Sequence, residues 1–180
     1  YPDEPELQIC HRLDRETSGV LVLARDREAA AFLKDAIGRK DRTTKEYLAI
    51  VHGQPPWDTE ARLDIPLRLS TEADDTRLPH VRMLPDPRGL EAITRVIVEQ
   101  RTGAYALVRC TLVTGRQHQI RAHLAAAGFP IVGDKLYTHG DDAFIEYCDE
   151  GLTPELAAMF VIPRHALHAA RITLPHPEGG

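Results

Sequence analysis

The sequence has few of the features that identify secreted, zinc-binding and membrane proteins. Its three cysteines, Cys10, Cys110 and Cys148, are far apart and form no CxxC pair, which argues against a disulfide framework and a zinc knuckle. This cysteine usage suits a reducing compartment, so we expect a cytoplasmic protein. Apolar runs stay far short of the roughly 20 residues of a membrane-spanning helix. The sequence therefore predicts a soluble protein without a membrane partner.

Motifs for several cofactors and nucleophiles are absent as well. The sequence contains no Walker motif and no dinucleotide-binding fingerprint, so nothing indicates a nucleotide cofactor. Ser18 lacks a GxSxG elbow, and a serine hydrolase is therefore not indicated. Neither histidine pair that could be imagined as metal ligands has the HExxH pattern or a cysteine partner: His118 with His123, and His165 with His168. We predict neither a cofactor nor a metal.

The net charge is the main argument against a nucleic-acid partner. Lys and Arg number 22 and Asp and Glu 27, a formal charge of -5, whereas binding to RNA usually depends on basic side chains that neutralise phosphates. The charges are unevenly placed, however, because acids cluster between positions 141 and 155. Basic residues gather in or beside polar motifs elsewhere: Arg12, Arg15, Lys34, Arg39, Lys40, Arg42, Lys45, Arg116, Arg121 and Lys135. They form either a local basic face or ordinary solvated surface charge.

A polar stretch near the start, residues 11–19, is the first candidate for chemistry. It places Asp14 between Arg12 and Arg15 on a loop, directly before the apolar segment 20–24, which predicts a buried strand. If the two arginines simply pair with Asp14 at the surface, the arrangement contributes little. In a cleft, a cation within hydrogen-bonding reach would orient the carboxylate and favour its ionised form. Asp14 is therefore the first candidate for a reacting group.

The rest of the chain predicts helices and strands within a single domain, because a chain of 180 residues is long enough to bury a substantial core. Asp26 can cap a helix over 27–40, and 46–51 predicts a strand that ends at Gly53. Segments 89–98 and 104–113 predict an antiparallel hairpin, followed by a helix that ends at Gly128. We expect a surface excursion over 70–87 and an acidic, helical insertion over 138–163.

Four motifs in chain order carry a resemblance to a known family. The stretch from His11 to Gly19 reads HRLDRETSG, and a Lys-x-Tyr motif follows at Lys45-Glu46-Tyr47. Residues 115–124 read GRQHQIRAHL before GFPIVGD at 128–134, and 164–169 read RHALHA before His176-Pro177. Together these motifs resemble the RluA-type RNA pseudouridine synthases over roughly residues 11–177. The combination is far more restrictive than a single short motif.

The resemblance implies the fold class α+β, with a mixed, mostly antiparallel β-sheet flanked by helices, as in the pseudouridine synthase catalytic fold. Members of that family usually carry an earlier strand with an Asn-Lys-Pro-like motif, and often an S4 domain before it. Neither is present here and the chain begins with Tyr1. We therefore expect one catalytic domain over residues 1–180 that lacks its N-terminal strand or strands.

The same resemblance implies an enzyme that converts specific uridines of rRNA or tRNA into pseudouridine. The reaction breaks the N1–C1′ bond and forms a C5–C1′ bond without a cofactor. By resemblance Asp14 is catalytic, Arg121 pairs with it, and Tyr47 packs against the target base. Other side chains of the motifs are expected at the substrate: Arg12, Arg15, Thr17, Lys45, Arg116, His118, Gln119 and His123. We expect a monomer that binds RNA.

Several alternatives stay open at the level of sequence. Asp14 could act as a nucleophile or as a base that removes a sugar proton. A tyrosine at a strand end, such as Tyr47, is also commonly a packing residue. A non-catalytic RNA-binding module would keep the fold, although the presence of Asp14 argues against it. A small metal-dependent hydrolase would use the histidines and would contain metal.

Overall fold

The computed structural model describes residues 6–39 and 42–177, which form a central sheet, two small two-stranded sheets and four helices. In chain order the elements are β1 (Gln8–Ile9), β2 (Ser18–Gly19), β3 (Leu23–Ala24), α1 (Arg27–Gly38), β4 (Thr44–His52), β5 (Ala61–Asp64), β6 (Leu67–Leu69), β7 (Met83–Pro85), β8 (Ile93–Thr102), β9 (Tyr105–Leu112), α2 (Gln119–Ala126), α3 (Gly140–Glu150), α4 (Pro154–Phe160) and β10 (Leu167–Thr173). The central sheet has the order β2-β10-β4-β9-β8-β5. Strand β2 runs parallel to β10 and the other pairs are antiparallel. The predicted α+β fold with a mixed, mostly antiparallel sheet is confirmed.

The predicted hairpin of β8 and β9 forms one half of the central sheet. Its turn includes Gly103, whose φ of 53° lies in the left-handed region. Alternate residues point to one face, so that Val96, Val108 and Cys110 are buried. Helix α2 packs on this face through Ile120 and Leu124. The helix that carries a predicted functional arginine is therefore packed against the β8 to β9 hairpin.

The apolar segment 20–24 does not form the buried strand that the sequence predicts. Val20, Leu21 and Leu23 are 40%, 40% and 42% exposed. The prediction is wrong because the chain changes partner within this segment: β2 pairs with β10, whereas β3 pairs with β1 in a separate sheet. Each strand is only two residues long and has one partner, so much of the apolar surface faces solvent.

Helix α1 begins at its predicted cap, where the Asp26 carboxylate accepts a hydrogen bond from the Ala29 N–H at 2.7 Å. It ends at Gly38, short of the predicted end at Lys40, which lies outside the described residues. Buried Leu33 packs near Cys10, the residue that precedes the HRLD motif. The helix therefore supports the start of that loop.

The predicted surface excursion is a loop between β6 and β7 that is held at several points. Arg68 forms ion pairs with Asp74 and Asp86, both at 2.6 Å. The backbone N–H of Arg77 donates to Asp141 of α3 at 2.7 Å. The excursion thus rests on the first turn of α3 instead of projecting into solvent.

Residues 138–163 contain the predicted helices, α3 and α4. Ala143 of α3 and two residues of α4, Leu156 and Phe160, form a small buried cluster. Thr153 caps α4 through a hydrogen bond from the Leu156 N–H at 3.2 Å. Within the two described stretches of the chain, every helix is too short or too polar to traverse a lipid bilayer.

Candidate active site

A cleft of about 390 Å³ opens between the HRLD loop, the start of β4 and the N-terminus of α2. These three segments are far apart in sequence, and the central sheet brings them together because β4 lies between β9 and β10. The predicted site residues that line the cleft are Arg12, Asp14, Thr17, Lys45, Tyr47, Arg116, His118, Gln119 and Arg121. Leu167 of the motif at 164–169 also lines the cleft, so all four motifs converge on one concave surface.

Asp14 and Arg121 form an ion pair at the floor of the cleft. Arg121 Nη1 donates to Asp14 Oδ2 at 3.0 Å, across 107 residues of sequence. The Asp14 side chain is 22% exposed and that of Arg121 is 9% exposed. The carboxylate is thus held on one side by the arginine while part of it faces the cleft. Among the described residues no ion pair joins Asp14 to Arg12 or Arg15, so the alternative of a surface pair with those neighbours is wrong.

Asp134 fixes the arginine from the opposite side. Arg121 donates to it twice, from Nε at 2.7 Å and from Nη2 at 2.9 Å. The Asp134 side chain is fully buried and also accepts from the backbone N–H groups of Leu136 and Tyr137. Burial alone would raise the pKa of Asp134, but the bonded guanidinium lowers it, so the group stays a carboxylate. A bidentate pair of this kind leaves the guanidinium little freedom to turn.

The guanidinium of Arg121 keeps its charge despite burial. Burial alone would lower its pKa, but Asp134 and Asp14 together raise the pKa above its usual range. The ring of Tyr137 lies 5.2 Å from the guanidinium carbon and covers one face of it. A permanent cation therefore stands beside Asp14.

Tyr47 lies on β4 at the edge of the cleft. Its ring is partly buried against the core cluster and also lines the cleft. Burial raises the pKa of Tyr47, and the negative charge of Asp14 raises it further, so the hydroxyl keeps its proton at neutral pH. Both the packing role and a role beside a substrate are thus compatible with its position.

A buried network holds the HRLD loop from behind, and sequence reasoning did not find it. Glu16 accepts from Lys135 Nζ at 2.8 Å, from Tyr147 Oη at 3.1 Å and from the His165 backbone N–H at 3.2 Å. Thr17 Oγ1 lies 2.8 Å from His165 Nε2. The hydroxyl of this predicted substrate-binding threonine therefore already has a hydrogen-bond partner within the protein. The network ties the loop to α3 and to the segment before β10.

Two predicted substrate contacts have structural positions instead. His123 is fully buried, with Nδ1 3.0 Å from Thr94 Oγ1 and Nε2 2.9 Å from the Ile65 carbonyl oxygen. Gln119 touches the cleft wall but is only 2% exposed. All of its polar atoms have protein partners, because Oε1 accepts from Thr114 and Arg116, and Nε2 donates to Ile93 and Thr94. The predictions of substrate contact for Gln119 and His123 are corrected accordingly.

The remaining predicted residues divide into cleft and rim positions. Arg12 is exposed at the cleft wall. Lys45 lines the same cleft, and burial lowers its pKa. Arg116 also lines the cleft, with Nε donating to the Glu91 carbonyl oxygen at 3.0 Å. Arg15 is exposed on the same loop outside the cleft lining. The sequence did not single out His11, whose Nε2 accepts from the Val22 N–H at 3.0 Å and which lines the cleft.

The histidine pairs considered as metal ligands have separate partners. His165 binds Thr17, and His168 Nδ1 lies 2.9 Å from Ser18 Oγ. His123 binds Thr94, whereas His118 contacts Tyr137. No group of three or more His, Cys, Asp or Glu side chains converges as a metal site within residues 6–39 and 42–177.

The model of one family, described as RNA pseudouridylate synthase, matches residues 1–126. That span contains Asp14, Tyr47 and Arg121. The chain belongs to the RNA pseudouridylate synthase family. The resemblance inferred from the four motifs is thereby confirmed.

Relatives of known name agree with this membership over the whole chain. The ribosomal large subunit pseudouridine synthases C of Salmonella typhi and of Escherichia coli K12 are each 37% identical over 180 residues, or 99% of this chain. The ribosomal large subunit pseudouridine synthase D of Neisseria meningitidis is 35% identical over 98% of it. The chain spans about half of the length of the two C enzymes, 51%, and 43% of the D enzyme.

Two solved human structures share the fold. Human RNA pseudouridylate synthase domain containing 4 superimposes with a TM-score of 0.72 and 31% identity, covering 96% of this chain and 68% of that one. Human RNA pseudouridylate synthase domain containing 1 gives 0.71 and 25% identity, covering 96% and 65%. The fold of residues described here is therefore that of a pseudouridine synthase domain.

Proposed function

We propose that the protein isomerises uridines in RNA to pseudouridine, with Asp14 as the catalytic carboxylate. The observation that carries the proposal is the ion pair of Asp14 with Arg121 at the floor of an open cleft, 3.0 Å between the two atoms. Membership of the family supports the reaction class. The names of the similar bacterial enzymes favour large-subunit ribosomal RNA as the substrate over transfer RNA.

Pseudouridine formation changes two bonds of the uridine and moves its base. The N1–C1′ bond must break, the uracil must turn, and C5 must bond to C1′. A carboxylate serves this chemistry by bonding to the sugar carbon or by removing a sugar proton, and the position of Asp14 suits both routes. Arg121 orients the carboxylate, and Asp134 holds Arg121. We propose Arg121 as a positioning residue for Asp14.

The target base must leave its stack to reach the cleft, because a stacked or paired uridine hides its glycosidic bond. We propose that Tyr47 packs against the extruded uracil. An aromatic ring stacked on a base contributes about 1 to 3 kcal/mol to binding, whichever base it is. The protonated hydroxyl supports such a contact because it places no negative charge against the base.

The rim of the cleft offers cations for the flanking phosphates. Arg12, Lys45 and Arg116 line it, and the acids of α3 lie in a different segment of the chain. We propose that these three side chains contact the RNA backbone, which positions the strand without specifying its sequence. The protein is proposed to act in the cytoplasm as a monomer, without a cofactor or a metal.

The test maps pseudouridines in total RNA from cells with and without the gene. We expect at least one uridine of large-subunit rRNA to lose its modification and to regain it when the wild-type gene is restored. The gene for Asp14→Asn, which keeps the shape of the side chain, should not restore it. Loss confined to tRNA would change the substrate class, and no loss at all, or restoration by Asp14→Asn, would contradict the proposal.

A further inference from the structure

His118 stands at the N-terminus of α2 with a backbone conformation that non-glycine residues seldom adopt. Its φ of 50° and ψ of 16° place it in the left-handed region, and its side chain makes no capping bond to the helix. The ring instead lines the cleft, with Nε2 3.9 Å from Asp14 Oδ2. The strained backbone therefore coincides with an imidazole placed beside the reacting carboxylate.

The hydrogen bonds of Tyr137 favour one of the two neutral forms of the His118 ring. The Tyr137 hydroxyl oxygen accepts from the Met83 N–H at 2.9 Å and lies 3.3 Å from His118 Nδ1. Among the described residues His118 is the acceptor within reach of the Tyr137 proton. Burial raises the pKa of Tyr137 to about 12, so that proton is retained and is available for donation to Nδ1. When Nδ1 accepts this hydrogen bond, the proton of a neutral His118 is on Nε2.

The charges around His118 favour the neutral ring. Burial lowers its pKa to about 4, and the positive charge of Arg121 lowers it as well, against the opposing effects of Asp14 and Asp134. The neighbouring ring of His165 acts in the same direction as Arg121. At neutral pH His118 is therefore a neutral donor, with Nε2–H facing the cleft.

The Nε2–H group of His118 does not form a hydrogen bond with Asp14. A separation of 3.9 Å between Nε2 and Oδ2 is longer than a hydrogen bond, so the N–H remains available to a group that enters the cleft. Nothing else within the described parts of the chain accepts a hydrogen bond from Nε2. A free donor next to the catalytic carboxylate is placed to bind an oxygen of the substrate.

We propose that His118 is a further catalytic residue, whose Nε2–H donates a hydrogen bond to an oxygen of the uracil while that ring carries negative charge. The inference rests on the proposed function, because it assigns a partner to an intermediate of that reaction. A neutral imidazole in such a role stabilises charge without transferring its own proton.

The step balances without any further reactant. When the N1–C1′ bond breaks, its electron pair leaves with the uracil, and the charge spreads over the ring nitrogens and the carbonyl oxygens. Asp14 compensates the electron-poor C1′, either by bonding to it or by taking the 2′ proton. After the ring turns, C5 bonds to C1′ while the Asp14–C1′ bond breaks or, on the second route, while Asp14 returns the proton to C2′. C5 then loses its proton and N1 gains one. His118 keeps its proton throughout.

The experiment compares two transcripts of large-subunit rRNA, one made with uridine and one with 5-fluorouridine. C5 of 5-fluorouridine carries fluorine in place of the proton that the last step removes, so the single-turnover rate followed on both transcripts is consumption of the target nucleotide by cleavage of its N1–C1′ bond. Fluorine withdraws electrons and stabilises the uracil anion, so a hydrogen-bond donor matters less for this substrate. For His118→Phe we expect the single-turnover rate on the uridine transcript to fall on the order of 100-fold, as for the loss of one oxyanion donor. On the fluorinated transcript the loss should be under about tenfold, and RNA affinity should be unchanged. His118→Gln keeps a donor and should stay within about tenfold of wild type.

The possible outcomes separate this inference from its alternatives. Equal losses on the two transcripts would mean a structural role, and an unchanged rate would mean no role; either overturns the proposal. A role as base for the C5 proton is tested with uridine deuterated at C5, where an isotope effect larger in His118→Phe than in wild type overturns the donor role. Wild-type protein that forms no pseudouridine on the uridine transcript would instead contradict the proposed function.

A second variant keeps the test usable if His118→Phe does not fold. Tyr137→Phe removes the hydroxyl that holds the Nε2–H form and leaves the imidazole in place. We expect the same pattern at smaller size, with a loss of roughly two- to tenfold on uridine and less on 5-fluorouridine. Tyr137→Phe with wild-type rates on both transcripts would overturn the proposal.

Discussion

Glu16 and Lys135 form an ion pair directly behind the HRLD loop, with 2.8 Å between Lys135 Nζ and Glu16 Oε1. Their side chains are 17% and 3% exposed, and the two residues are 119 positions apart in sequence. Lys135 Nζ also lies 4.8 Å from the centre of the Tyr147 ring. The pair therefore joins the loop of Asp14 to α3, in addition to the hydrogen bonds that Tyr147 and His165 make to Glu16.

Replacing Lys135 by Met should destabilise the protein by about 3 kcal/mol, because Glu16 then keeps a buried charge without its cation. The free energy of urea unfolding measures this. Arg62→Met is the matched control, since Arg62 pairs with Asp64 at 2.9 Å with both side chains about half exposed. Its cost should be under about 1 kcal/mol. Equal costs for the two variants would contradict the structural role of the Glu16 to Lys135 pair.

Arg121→Lys should lower the rate of pseudouridine formation on the order of 100-fold, because catalysis is sensitive to small displacements of a reacting group. A lysine keeps the charge, but one ammonium cannot replace two bonds to Asp134 and one to Asp14. Single-turnover rates and filter binding measure the rate and the RNA affinity separately. Arg116→Lys, at the rim of the cleft, is the control and should retain most activity since a lysine still binds phosphate. A similar rate for Arg121→Lys and wild type would show that the fork geometry is unnecessary.

The sequence predicted the parts of the site that local motifs encode. Asp14, Arg121 and Tyr47 were expected to meet although they come from separate segments, and the structure brings all three to one cleft. This was possible because the motifs form a recognisable set. Periodicity also predicted α1, with its Asp26 cap, and the β8 to β9 hairpin.

Partners that depend on tertiary position were not predicted. Nothing in the local sequence distinguishes the exposed Arg15 from the buried Lys135. The sequence around Gln119 is that of a polar motif and does not reveal the four hydrogen bonds that its side chain makes within the protein. The segment 20–24 was predicted to be buried because apolar composition alone does not reveal a change of strand partner. The hydrophobic pattern predicts which residues are suited to burial, whereas the pairing of strands determines which of them are covered in the folded protein.

His118 should make the stability of the protein fall with decreasing pH below the ordinary histidine pKa. Burial lowers its folded-state pKa from 6.5 to about 4, so the folded protein binds fewer protons than the unfolded chain between these values. The stability is therefore complete above pH 6.5 and is lost as pH falls towards 4. The slope from one such group is at most about 1.4 kcal/mol per pH unit.

Urea unfolding at pH 7 and pH 5 measures this loss in wild type and in His118→Phe at constant ionic strength. Other histidines contribute in the same direction, because burial also lowers the pKa of His123 and His165. The variant should therefore lose less stability than wild type over this interval without losing the dependence altogether. An identical or steeper loss in His118→Phe would contradict the depressed pKa.

Gly19→Ala should destabilise the protein by more than the difference between glycine and alanine in β-strand propensity. Its φ is 117°, and a Cβ at this position would lie 2.2 Å from the Ala169 carbonyl oxygen and 2.6 Å from the Ala169 nitrogen, both backbone atoms. These contacts occur where β2 runs parallel to β10, so relief would separate the two strands. We expect a cost of more than about 3 kcal/mol in the free energy of unfolding.

Gly38→Ala is the control, because Gly38 ends α1 with nothing within 4 Å of an added Cβ, and it should be nearly neutral. Comparable unfolding free energies for the two variants would show that the loop reaches the sheet without the close approach at Gly19.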